Sequence, residues 1–178
     1  METFTQSKNF VVNPSFSEQR LKSLSQLNFT TIDAPIVEII KGFSKLPYCF
    51  TLQSCYGHFL YDNQRDSTNI EPLPISNRIE KVEYRIAYIA LCIQNSEFGM
   101  ELFHDLKKIT AIDRKYIQFG CAEWFWKRQV NSFALQVEPE RFMKWDKALV
   151  DYHEALHIEN VRNKFFDEIR RIIQAIDA

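Results

Sequence analysis

The order of apolar patterns along this chain predicts an α+β domain, a mixed and largely antiparallel sheet with helices packed on it. Three observations carry that expectation. Short apolar or alternating runs at 48–53, 83–93, 116–126 and 131–138 have the length and composition of strands. Three- and four-residue recurrences occupy 17–27, 33–46, 96–109 and 146–178, the signature of helices with one buried face. The two kinds of segment follow the order α-α-β-β-β-α-β-β-α rather than a regular β-α alternation, which favours an α+β architecture over a doubly wound parallel sheet. With 178 residues, 46% hydrophobic and 25% charged, the chain is expected to form a single domain over 1–178.

Each element has a local reason. Residues 1–14 are polar and mixed up to Asn13-Pro14, and read as a flexible arm. Ser15 and Glu18 have the spacing of a capping box, and Leu21, Leu24 and Leu27 give the following helix its apolar face. Asp33 followed by Pro35 opens a second helix, where a side-chain oxygen accepts from first-turn amides and proline's missing donor does no harm. Ile36, Ile39, Ile40 and Phe43 are its stripe, and Pro47 stops it. The pattern then becomes a strand over 48–53, a tight segment Ser54-Cys55-Tyr56-Gly57-His58, and a second strand from Phe59.

Residues 62–78 are polar, contain two prolines and read as one long loop, a lid, a binding loop or a surface insertion. The run 83–93 is apolar on both faces, as an interior strand requires. Ser96 can cap a helix whose stripe is Phe98, Leu102, Leu106 and Ile109; His104 rides on its exposed side. The runs 116–126 and 131–138 read as strands joined by a turn at 129–131. Segment 146–178 reads as helical, with Val161, Phe165, Ile169, Ile172 and Ile176 on one face. Leu149, Tyr152 and Leu156 fall nearly opposite, so that helix either breaks near 157 or is covered from a second side.

Composition narrows the function classes. Lys and Arg total 22 against 23 Asp and Glu, a net charge of −1, so the summed field gives no case for a membrane or a nucleic-acid surface, although a local patch can still bind phosphate. Cys49, Cys55, Cys92 and Cys121 show no C-x-x-C spacing, which argues against a zinc ribbon or a redox dithiol and for reduced thiols in a cytoplasmic protein. The first thirty residues carry no apolar targeting core, and no apolar run approaches a membrane span.

Three constellations carry chemistry. In Ser54 to His58 a hydroxyl, a thiol, a glycine and an imidazole fall together at a strand end. His58 could activate Cys55 as a nucleophile, while the plainer reading makes Cys55 a buried thiol and Gly57 a turn residue with positive φ. His153-Glu154-Ala155-Leu156-His157 satisfies H-E-x-x-H, with His153 and His157 one helical turn apart as zinc ligands and Glu154 as general base. Against it stand the missing third histidine and the capping-box spacing of Asp151 and Glu154. In the third, Trp124 and Trp126 alternate on the expected strand and share one face, which would stack a planar base while Lys127 and Arg128 neutralise phosphate; the plainer reading is a core or interface anchor.

The stretch Asp33-Ala-Pro35-Ile36, followed by Phe50-Thr51 and then Ser54-Cys55-Tyr56-Gly57-His58, resembles the N-terminal signature of the tRNA wybutosine-synthesising methyltransferase family, in which I-D-x-P-I leads to Y-F-T and S-S-C-S-G-R. Asp33, Pro35, Ile36, Phe50, Thr51, Ser54, Cys55 and Gly57 match, Tyr56 replaces Ser and His58 stands in place of Arg. The resemblance covers residues 17–61. It implies S-adenosylmethionine as cofactor and methylation of a modified guanosine in tRNA. Under that reading Asp33, Thr51, Ser54 and Gly57 bind the ligand, Trp124 or Trp126 stacks on a ring, and His58 with Cys55 does the chemistry. The alternatives are a zinc hydrolase through His153, Glu154 and His157, and a non-enzymatic binding or assembly module, in which the aromatic surface joins copies of the chain as a homo-oligomer.

Overall fold

The computed structural model describes residues 4–142 and 146–177. In chain order the strands are β1 (Phe4–Thr5), β2 (Cys49–Cys55), β3 (His58–Leu60), β4 (Lys81–Arg85), β5 (Ala87–Ile93), β6 (Ile117–Ala122), β7 (Ser132–Val137) and β8 (Lys147–Asp151). The helices are α1 (Phe16–Gln26), α2 (Val37–Lys45), α3 (Glu97–Lys108), α4 (Glu123–Arg128) and α5 (Tyr152–Asp177). The strands form two sheets, one ordered β1-β6-β7-β5-β2 and one ordered β3-β4-β8. Every ladder is antiparallel, and the α+β class expected from the sequence is the class observed.

Alternation along the central strands sorts the core. Ile89, Leu91 and Ile93 of β5, with Phe133, Leu135 and Val137 of β7, meet Ile39, Ile40 and Phe43 of α2, Leu102 and Leu106 of α3, and Phe165 and Ile169 of α5 in one buried cluster. On the reverse face Ala90, Ala122 and Ala134 lie under Phe125, while Cys92 and Phe50 lie under Phe16. Both faces of β5 are therefore covered, as its unbroken apolar run demanded. Each large apolar side chain so buried contributes about 1.5–3 kcal/mol.

Four sequence expectations are corrected. The run 83–93 is two strands rather than one: the chain turns at Ile86, whose amide donates to the Asp146 carbonyl (3.2 Å), so β4 feeds the small sheet and β5 the large one. The segment from 146 opens as a strand, not a helix. Leu149 sits on β8 opposite Glu83 of β4, which removes the conflict of faces, and α5 runs from Tyr152 without a break near 157. The arm is fastened along much of its described length: β1 pairs with β6, and the Asn131 side chain both accepts from Val11 N and donates to Val11 O (2.9 Å each). Finally, the strand expected over 116–126 ends at Ala122. Pairing with β7 stops at Gly120 and pairing with β1 at Ala122, so the chain satisfies its backbone groups by coiling into α4.

The capping assignments also shift. Ser15 makes no side-chain cap to α1, whose buried residue is Phe16 while Leu21 is exposed. Ser96 does cap α3, accepting from Gly99 N, although Phe98 of the expected stripe faces outward. No helix among the described residues is long and apolar enough to cross a membrane.

Candidate functional site

The candidate site is built where β2 leaves the large sheet. Cys55 is its last residue, paired with Tyr88 of β5, and the chain reverses into β3 within two residues. Gly57 permits that reversal. Its φ of +89° is unfavourable for other residues, and a Cβ there would lie 2.8 Å from the Cβ of Ala87. His58 is thereby delivered to the first position of β3, opposite Arg85.

Asp33 arrives from the other direction, just before the short 3-10 turn Ala34–Ile36 that leads into α2. Its carboxylate does not cap that turn, contrary to expectation. Oδ2 instead accepts from the Tyr56 amide at 2.7 Å and lies 3.3 Å from His58 Nε2. The ligand atoms of Asp33, Cys55 and His58 all fall within 4.8 Å of one another. Three residues named from sequence, 25 positions apart at the extremes, form one polar centre.

Electrostatics follow from these contacts. His58 is 6% exposed, and its Nδ1 lies 2.9 Å from the Asn69 carbonyl. A carbonyl oxygen only accepts, so Nδ1 carries hydrogen. The Asp33 carboxylate, with a further contribution from Cys55, overcomes burial and raises the imidazole to about 10, so His58 is a cation at neutral pH. Burial acts to raise Asp33, but hydrogen bonding from His58 and from the Tyr56 amide outweighs it and holds the acid below the usual carboxylate value.

Two residues of this sheet end escaped the sequence reading. Arg162 of α5, 2% exposed, donates from Nη1 to the Gly57 carbonyl (3.0 Å) and lies 4.0 Å from the centre of the Tyr56 ring, bracing the loop from beneath. Its signal was its place in the buried row Ala155, Ile158, Arg162, Phe166 and Ile169, where a charge is out of keeping with packing alone. Glu138 follows β7 and is fully buried, with Oε2 accepting from Gln136 (2.7 Å) and Oε1 without a partner among the described residues. Burial, assisted by Asp146, pushes its carboxyl up to about 9. Tyr84 ties these parts together: its hydroxyl accepts from Ala87 N (2.8 Å) and donates to Val137 O (2.7 Å).

Other expected site residues fare differently. Ser54 lies on β2 opposite Ile89, and Thr51 lies opposite Leu91 with its hydroxyl buried and, among the described residues, unpartnered. Two amides of the segment 54–58, in which Gly57 is an expected ligand residue, are already engaged, Tyr56 N by Asp33 and Gly57 N by Cys55 Sγ (3.4 Å). Trp124 and Trp126 do not share a face. On α4 they point about 200° apart, Trp124 under the Arg128 guanidinium (3.9 Å) and Trp126 against Phe133. Moreover, α4 follows the end of β6 that lies, across β7 and β5, at the same end of the sheet as the start of β2, whereas Cys55 aligns through Tyr88 and Gln136 with Gln118 near the start of β6. The tryptophans and the polar centre therefore occupy opposite ends of the large sheet.

Two of the H-E-x-x-H residues, His157 and Glu154, are engaged elsewhere, and His153 is exposed against the Tyr152 ring. His157 Nε2 is 2.9 Å from Asp113, and Glu154 accepts from Arg141 (2.6 Å) and from the Tyr116 hydroxyl (2.9 Å). Arg141 above all holds Glu154 below its usual value. Asp151, its expected capping partner, ends β8 and pairs with Lys81. Among the described residues, the set of three side chains arranged to share an ion is Asp33, Cys55 and His58.

The loop 62–78 returns to this centre. Besides the Asn69 contact, Leu73 N donates to Glu159 (2.8 Å), and the Tyr152 hydroxyl accepts from Ser76 N (3.1 Å) and donates to Pro74 O (2.6 Å). Between the loop and the outward face of the small sheet lies a cleft of about 460 Å³ lined by Leu60, Tyr61, Arg65, Arg78, Lys81 and Glu83, among others. His58 and Leu60 alternate with buried Phe59, so the cleft begins on the face of β3 that carries His58.

No family model and no curated protein matches this chain. Among solved structures, the fold is similar to that described as the structure of PH1069 protein from Pyrococcus horikoshii, with a TM-score of 0.50 and 12% sequence identity over 92% of this chain and 94% of that one. That likeness speaks for the fold.

Proposed function

We propose that this chain is an RNA-modifying enzyme that binds S-adenosylmethionine in the cleft over β3, β4 and β8, with Asp33, Cys55 and His58 as its reactive centre. The observation that supports this most is the convergence of Asp33, Cys55 and His58 within 4.8 Å: Asp33 and Cys55 match the wybutosine-synthesising methyltransferase signature, and His58 stands where that signature has arginine. The cleft supports the cofactor by size, lying within the roughly 300–1,000 Å³ of small-molecule sites. Its lining suits the cofactor's polar groups: Arg65, Arg78 and Lys81 for a carboxylate, Glu80 and Glu83 for ribose hydroxyls. The bound cofactor would supply an electrophilic methyl group.

The chain's own residues supply position and charge. Asp33 fixes the Tyr56 amide and orients His58. Protonated His58 restores at this position the positive charge that the family pattern places on arginine, and can donate a proton or hydrogen bond at Nε2. A modified guanosine in tRNA is the substrate class in this reading, entering beside the 62–78 loop.

Isothermal titration of the full chain with S-adenosylmethionine tests it. Stoichiometric binding weakened at least tenfold in Arg78→Ala, with the melting temperature rising in step with occupancy, is the expected result. Absence of heat and of a thermal shift at millimolar ligand overturns the cofactor assignment.

A further inference from the structure

We propose that Asp33, Cys55 and His58 form a site for a divalent transition-metal ion of the zinc class, with one coordination position left for water or substrate. This goes beyond the cofactor reading and does not require it: the cleft is a separate donor set, and a metal bound at His58 Nε2 takes the place of the proton that the cofactor reading puts there.

The donor set is the first argument. A carboxylate, a sulfur and an imidazole nitrogen are the three protein ligand types of zinc, and three of them rather than four is the count found where a metal keeps an open position.

Spacing is the second. His58 Nε2 and Asp33 Oδ2 stand 3.3 Å apart. A charge-assisted N–H···O pair closes to about 2.7–2.9 Å, whereas two ligands bound tetrahedrally at about 2.0–2.1 Å are separated by about 3.3–3.4 Å. Cys55 Sγ completes the triangle within 4.8 Å.

The third argument is what stands behind each donor. Metal-binding histidines give their other ring N–H to a carboxylate, carbonyl or water, and metal-binding carboxylates are themselves hydrogen-bonded. Here His58 Nδ1 donates to the Asn69 carbonyl, Asp33 Oδ2 accepts from Tyr56 N, and Cys55 Sγ accepts from Gly57 N. All three supports are backbone groups, so the donors are oriented by the fold. Nε2 of a neutral His58 then brings its lone pair to within 3.3 Å of a carboxylate oxygen, an approach that a cation between them makes favourable. That cation is either the proton of an imidazolium or a metal. Metal binding transfers the Nε2 proton and the Cys55 thiol proton to solvent and changes no oxidation state.

The experiment uses the full chain, stripped with a chelator and titrated separately with zinc and cobalt(II). Expected are one zinc per chain by calorimetry and a near-ultraviolet sulfur-to-cobalt charge-transfer band. Cys55→Ser abolishes the band, and His58→Ala weakens zinc at least a hundredfold, while His157→Ala leaves both unchanged; circular dichroism of each variant confirms that it is folded. No stoichiometric zinc, a cobalt spectrum without the sulfur band, or binding lost in His157→Ala and retained in Cys55→Ser overturns the assignment. Should Cys55→Ser fail to fold, Asp33→Asn serves in its place, and unchanged zinc affinity in that folded variant overturns it equally.

Discussion

A single side chain sets the shape of the site loop. Arg162 reaches from the middle of α5 to the Gly57 carbonyl, with Glu159 Oε1 3.7 Å from Nη2. Arg162→Met keeps most of the stem but leaves a buried carbonyl without its donor, and should lower stability by about 1–3 kcal/mol in urea unfolding. Asp33 and His58 were legible at this scale because short-range chemistry marks them: an acid before proline, an imidazole after glycine. Arg162 was less so, since its role depends on a partner 105 positions away. Glu138 makes a second case. Its carboxyl holds a proton in the folded chain up to about pH 9, whereas an unfolded glutamate releases it near pH 4.3. The stability tied to that proton is fully present below about pH 4.3 and is lost as pH rises to about 9. Glu138→Gln should therefore raise the melting temperature at pH 8.5 by several degrees and flatten the decline between pH 5 and 9, as followed by thermal denaturation.

At the scale of elements, tertiary pairing decided what local pattern left open. The segment Glu123-Trp124-Phe125-Trp126-Lys127-Arg128 alternates like a strand, yet an acid at its start and two bases at its end also match a helix dipole, and α4 forms where, among the described residues, no strand continues the pairing of β6. β8 was hidden for the converse reason: five residues of strand abut a 26-residue helix, whose periodicity dominates any window spanning both. β1 was illegible because two residues carry no pattern, and its place depends on Gly120. A Cβ on Gly120 would lie 2.0 Å from the Thr5 carbonyl oxygen. Gly120→Ala should displace β1, costing about 1–3 kcal/mol and speeding hydrogen exchange at the amides of Cys121 and Ala122, while the exchange of β5 stays slow.

Across the whole molecule, the sheets meet at a corner and the candidate centre occupies it. Cys55 closes β2 of the large sheet, His58 opens β3 of the small one, and Ile86 turns β4 into β5 alongside them. Sequence placed Cys55 and His58 in a tight segment between two strands but could not assign those strands to different sheets, because separation into two sheets depends on β8 arriving from 147–151 to pair with β4. The 62–78 loop closes the same corner, anchored at Asn69, Leu73, Pro74 and Ser76. These anchors decide which side of the imidazole is free to be approached. The Asn69 carbonyl covers Nδ1, so a molecule coming from the loop side meets an atom already engaged, whereas a ligand at Nε2, on the Asp33 side, leaves that contact intact.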